Sequence, residues 1–123
     1  MKKRDIKMAE TGSLVKMYAR SAAAHGRFSE EADNRSANRH ADIVAAVYRE
    51  LRARGRDAQL ALMPLLEDPD PDIRVWAAGH ALEFAPEDGE KVLTEMAAAF
   101  KGLIGWSAEM TLKEWRKGTL RFP

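Results

Sequence analysis

The stretch Leu62-Met-Pro-Leu-Leu-Glu-Asp-Pro-Asp-Pro-Asp-Ile-Arg-Val-Trp-Ala-Ala-Gly-His-Ala-Leu82 reads as two short antiparallel helices joined by an acidic, proline-stiffened turn. Asp70 is placed to accept the orphan amides of the second helix, and Pro71 suits its first position, where no backbone donor is missed. Asp72 adds negative charge at the end where the helix dipole favours it. Ile73, Ala77, Ala78, Ala81 and Leu82 then form its buried stripe, and the alanines allow close helix approach.

Helical periodicity continues on both sides, and no segment alternates as a strand would. A first helix is expected from a cap at Ser13, with Leu14, Met17, Tyr18, Ala22, His25 and Phe28 at steps of three and four. A second runs from about Arg35 to Arg54 with Ala37, Ala41, Val44, Ala45, Tyr48 and Leu51 inward, and Gly55 ends it. Asp57 opens a third helix through Leu66, bent at Pro64. After the fourth, Pro71 to Phe84, a fifth spans Pro86 to Phe100 with Val92, Leu93, Met96 and Ala97 inward. A sixth spans Leu103 to Lys117, and Gly118 terminates it. The expectation is one all-α domain over 1–123, a compact bundle or short right-handed solenoid of about six helices in antiparallel hairpins. Its parts are a long helix pair (13–54), the central hairpin (57–84), a degenerate second hairpin (86–117) and a tail (118–123).

Adding 30 to Trp76, Ala78 and Leu82 lands on Trp106, Ala108 and Leu112, and stepping back 31 carries Ala77 to Ala46 and Leu82 to Leu51. These matches suggest hairpin units of about 30 residues, shorter than the HEAT period of about 40–47. The Leu62–Leu82 hairpin resembles a HEAT-type hairpin. Asp68 and Arg74 match the acidic and basic positions that HEAT repeats use to tie the turn to the second helix. In the next unit those positions are Ala98 and Ile104. The short unit is similar to the abbreviated repeats of phycobilisome lyase relatives. With the long helix pair and the closing segment Gly105-Trp-Ser-Ala-Glu-Met-Thr-Leu-Lys-Glu-Trp115, the chain resembles small bacterial HEAT-like proteins of unknown function. That resemblance implies a binding module and transfers no catalytic residue; it allows a toxin-neutralising immunity protein.

Composition narrows the chemistry. The 123 residues contain no cysteine, which removes disulfides, thiolate nucleophiles and zinc–thiolate sites and fits a reducing cytoplasm. The basic start Met1 to Asp5 is not followed by an apolar run, because Lys7, Glu10, Thr11 and Gly12 interrupt it, so no export signal is expected. Nor does any stretch near 18 apolar residues predict a membrane span. Residues 1 to 56 hold 13 Lys and Arg against 7 Asp and Glu, whereas residues 57 to 123 hold 7 against 12. The first half could recruit an acidic partner, or each half could simply carry a solvated surface.

Asp68, Asp70 and Asp72 copy the first three ligands of an EF-hand, but Ile73 stands where that loop needs glycine and Gly79 where it needs a bidentate glutamate. His25, His40 and His80 lie in different helices without metal-ligand spacing. The pairs Glu30 with Glu31 and Glu87 with Asp88 sit at helix edges, where carboxylates cap or face water. No phosphate loop is present; Gly102 and Gly105 read as breakers. Neither a catalytic dyad, a metal nor a cofactor is assigned, and a glycosylase reading lacks an acidic residue that can be placed in an aromatic groove.

A partner-binding face is expected instead. It comprises Trp76, His80 and Glu83 on the fourth helix, Trp106, Met110 and Lys113 on the sixth, and Arg49 and Arg52 on the second, which are residue types that anchor or adapt to protein partners. A protein partner is favoured. The alternative is nucleic acid, drawn to Arg49, Arg52, Arg54 and Arg56 with Lys2, Lys3 and Arg4.

Overall fold

The computed structural model describes residues 3–123; Lys2, one of the candidate phosphate contacts, lies outside them. All regular structure among the described residues is helical: α1 (Lys3–Met8), α2 (Thr11–Glu30), α3 (Asn34–Ala53), α4 (Arg56–Leu60), a 3-10 turn (Met63–Glu67), α5 (Pro71–Phe84), α6 (Pro86–Ala99) and α7 (Leu103–Lys117). Among them no helix is long and apolar enough to cross a membrane. The chain forms two units, the segment through Leu62 together with Pro123, and Met63–Phe122.

The first unit is built on α2 and α3, each 20 residues long. Leu14, Tyr18 and Ala22 from α2 meet a buried row of Ala37, Val44, Val47, Tyr48 and Leu51 from α3. Burial, reinforced by the neighbouring Tyr48, pushes the Tyr18 phenol well above its ordinary pKa. The Gln59 amide donates to the Tyr48 hydroxyl at 2.9 Å, so this buried polar pair is satisfied internally.

The α2–α3 turn uses a left-handed residue. Ala32 has φ 58°, and the amides of Ala32 and Asp33 donate to the carbonyls of Ser29 and Phe28, closing the end of α2 in a Schellman pattern. Asp33 then accepts the Ser36 amide at 3.1 Å and caps α3. That hydrogen bond lowers the Asp33 pKa.

Several local expectations are corrected. Thr11 opens α2 behind Glu10, so Ser13 lies in the first turn rather than at the cap. Gly55, with φ 109°, both follows α3 and precedes α4, and Asp57 falls inside α4's first turn. The third helix, expected as one bent rod from Asp57 to Leu66, is instead the short α4 followed by the 3-10 turn that contains Pro64.

In the second unit the 3-10 turn packs on α5, and α5, α6 and α7 pack pairwise. The α5 cap forms as expected: Asp70 accepts the Asp72 amide at 2.9 Å, and Pro71 opens the helix. Gly89 lets α6 approach α5 closely. A Cβ there would lie 2.8 Å from the Ala78 carbonyl oxygen and 2.9 Å from the Leu82 amide nitrogen. Gly118, at φ 76°, ends α7.

The Asp68–Arg74 tie is not what holds this turn. Asp68 accepts the Asp70 amide at 2.9 Å, while the Arg74 guanidinium lies 5.4 Å from the Phe100 ring centroid, with its Nε buried and without a hydrogen-bond partner. Arg74 therefore joins the start of α5 to the α6–α7 connection by stacking on an aromatic face.

Candidate protein-binding surface

The geometry of α7 begins with a glycine. A Cβ on Gly105 would lie 2.0 Å from the Phe100 carbonyl oxygen, so only glycine allows α7 to start so tightly after α6. Gly102, at φ 79°, completes the corner. Beyond it Gly105, Ala108 and Leu112 point into the core. The flank of α7 bearing Thr111 meets α5, since a Cβ on Gly79 would lie 3.9 Å from Thr111 Cγ2.

The remaining face is turned outward. Leu103, Trp106, Met110 and Lys113 follow at steps of three and four, forming one stripe on the side opposite Ala108 and Leu112. Leu103 and Trp106 are each 62% exposed, Met110 is half-buried, and Lys113 is exposed. Beside the stripe, Thr94, Ala97, Ala98, Glu109, Leu112 and Lys113 line an open groove between α6 and α7. At its end Arg116 pairs with Glu90 at 3.3 Å; both groups are well exposed, so the pair adds little stability.

The other candidate residues are distributed differently. On α5 the Trp76 and His80 rings lie 5.9 Å apart, tilted by 42°, with Trp76 half-buried and His80 only 6% exposed. Glu83 is exposed on the same helix. The 30-residue offset thus preserves the burial of Ala78 with Ala108 and Leu82 with Leu112, while Trp76 and Trp106 differ in exposure. Arg49 and Arg52 belong to α3 in the first unit, Arg49 exposed and Arg52 half-buried. Arg52 lies 5.7 Å over the Tyr48 ring and donates to the Pro123 carbonyl oxygen.

Leu103 was not among the candidates, although its spacing from Trp106 and its place after Gly102 were legible. The arginine run near the end of α3 also disperses. Arg54 turns inward, donating to Glu50 at 2.8 Å, to Thr11 Oγ1 at 3.3 Å, and to the carbonyls of Ile6 and Lys7 at 3.3 and 3.1 Å.

At the other end of the α2–α3 pair, His40 stacks on Phe28 with centroids 5.6 Å apart, and its Nδ1 lies 3.5 Å from Ser21 Oγ. Ser21, His25 and Phe28 share one face of α2, so His40 faces His25 across the pair. Burial and then His40 lower the His25 pKa; burial, then Arg39 and Arg27, lower that of His40. Burial is thus the main reason both imidazoles resist protonation, and at His40 the two arginines add to it.

Comparison with known proteins agrees with this architecture. The crystal structure of the protein RPA1889 from Rhodopseudomonas palustris CGA009 is similar in fold, with a TM-score of 0.89 and 24% identity over 96% of this chain and 98% of that one. No curated protein matches the sequence. A family model described as a domain of unknown function, DUF2019, matches residues 12–115, from the first turn of α2 to the last turns of α7. The chain belongs to the DUF2019 family.

Proposed function

We propose that this protein is a non-catalytic module that binds another protein through the outward stripe of α7, Leu103, Trp106, Met110 and Lys113. The observation that carries the reading is the exposure of Leu103 and Trp106, 62% each, on successive turns of one helix. Burying such side chains contributes about 25 cal/mol per Å² of apolar area, and tryptophan is among the residues that most often dominate interface energetics. Met110 supplies an adaptable neighbour, and Lys113 a polar rim. The stripe stands on a helix fixed by Gly105, so little ordering entropy opposes binding.

We read the α5, α6 and α7 order as HEAT-like stacking, a reading supported by the short connections and the paired burial at the 30-residue offset. It includes a cytoplasmic site of action, with which the cysteine-free sequence is compatible. A toxin-neutralising immunity protein is one specific form, distinguished from a general scaffold by a stable complex with a toxin encoded beside its gene. Affinity isolation from the source cell tests the surface. The wild-type chain should retain a stoichiometric protein partner that the folded double variant L103E/W106E loses; equal retention by both overturns the reading.

A further inference from the structure

The first unit carries a second surface, independent of α7. On α2, Lys16, Arg20 and Arg27 occupy one stripe at steps of four and seven, opposite the buried Leu14 and Tyr18. On α3, Arg35, Arg39 and Arg49 lie away from the buried Val44, Tyr48 and Leu51. All six are exposed. The buried rows of the two helices face a common interior, so each cationic row is turned outward to solvent on its own helix.

The convergence of those rows is visible at His40. Arg27, on α2, lies 5.2 Å over the Phe28 ring, and that ring stacks on His40 of α3. Arg27 and Arg39, from different helices, both disfavour the imidazolium of His40, after the larger effect of its burial. With a rise of about 1.5 Å per residue, each row runs roughly 15–20 Å along its helix, and the two come nearest at the Phe28–His40 end. Carboxylates interrupt them only in part. Glu50 is engaged by Arg54 at 2.8 Å, leaving Asp42 within the α3 row, Asp33 at the α3 cap within the influence of Arg39, and Glu30 and Glu31 beyond Arg27.

We infer that these outward rows of α2 and α3 bind the phosphodiester backbone of a nucleic-acid duplex without reading its bases. Three features favour that partner over an acidic protein or a single strand. Five of the six cations are arginines, whose planar forks match phosphate oxygens. Between them the helices carry Ala19, Ala23 and Ala46, which offer neither the aliphatic or aromatic anchor of a protein interface nor a ring on which unpaired bases could stack. Finally, the charges extend along two helices as rows, suiting a polyanion with one charge per about 1.7 Å of axis.

The test uses the full chain and a fluorescein-labelled 24-base-pair DNA duplex of arbitrary sequence, followed by anisotropy. At 50 mM NaCl the expected dissociation constant lies in the range of about 10⁻⁴–10⁻⁶ M, weakening about 100-fold by 200 mM if roughly four phosphates are neutralised. The triple variant R20E/R27E/R39E should bind at least about tenfold more weakly while its helical circular dichroism persists; K91E/K101E in the second unit, at exposed lysines, should bind as the wild type does. In NMR titrations the His40 pKa should rise when the duplex is added, because the phosphates offset Arg27 and Arg39. Binding absent at 50 µM protein and 50 mM NaCl overturns the inference. So does an undiminished affinity of the triple variant, or poly-glutamate binding as tight as that of DNA.

Discussion

The Arg54 guanidinium donates to the carbonyl oxygen of Lys7 at 3.1 Å, joining the end of α3 to the last turn of α1 across 47 residues of sequence. The same group reaches the Ile6 carbonyl and Thr11 Oγ1, and is oriented by Glu50. It thereby satisfies carbonyls that a helix C-terminus leaves orphaned. Replacing Arg54 with lysine keeps the charge but loses the fork. We expect R54K to cost about 1–3 kcal/mol in urea denaturation and to abolish hydrogen-exchange protection in α1 before protection falls in α2.

Ala32 occupies the left-handed position of the α2–α3 turn at φ 58°, which L-residues adopt at a cost and glycine adopts freely. A32G should therefore stabilise the protein, against the usual effect of introducing glycine, by about 0.5–1 kcal/mol. A thermal midpoint below that of the wild type would contradict the assignment.

Gly89 and Gly12 provide a matched pair. A Cβ at Gly89 would press on the backbone of Ala78 and Leu82, whereas one at Gly12 would meet nothing within 4 Å. G89A is expected to cost about 1–3 kcal/mol through overpacking. In contrast, G12A should leave stability equal or slightly raised, because alanine is the better helix former. Chemical denaturation of the two variants decides the point.

The histidine pair predicts a pH dependence. Both His25 and His40 have pKa values below the ordinary histidine value of 6.5, so the unfolded chain binds more protons in the window just below that pH. Their contribution to stability is complete above about pH 6.5 and is lost as pH falls through the lowered folded-state values. Melting temperature should fall between pH 7.5 and pH 5. H25Q/H40Q should flatten that part of the curve; an unchanged slope would show that other groups control it.

Much of the architecture is legible because it follows from local chemistry. Asp70 and Pro71 specify the start of α5, and Gly118 the end of α7, through caps that need no tertiary information. The 3-10 turn at Met63–Glu67 and the short α4 were obscured because Leu62 and Leu66 are spaced for an α-helix, and both are buried as that spacing suggests. The surface was less readable. Trp76 and Trp106 share a position at the 30-residue offset, but exposure depends on which neighbours cover each helix, and Leu103 stands out only once Gly105 fixes the direction of α7. Likewise Arg49, Arg52, Arg54 and Arg56 look like one cluster along the chain. Arg54 turns inward to carbonyls that are distant in sequence, a contact that depends on how α1 packs on α3.

The α7 surface is tested most directly by the environment of Trp106 in the free protein and in a purified complex. A W76F/W115F chain retains Trp106 as its only tryptophan. In the free protein its emission should be red-shifted and readily quenched by acrylamide; in the complex it should shift to the blue and resist quenching. Emission of a buried indole in the free protein, or quenching unchanged in the complex, would contradict the proposed surface.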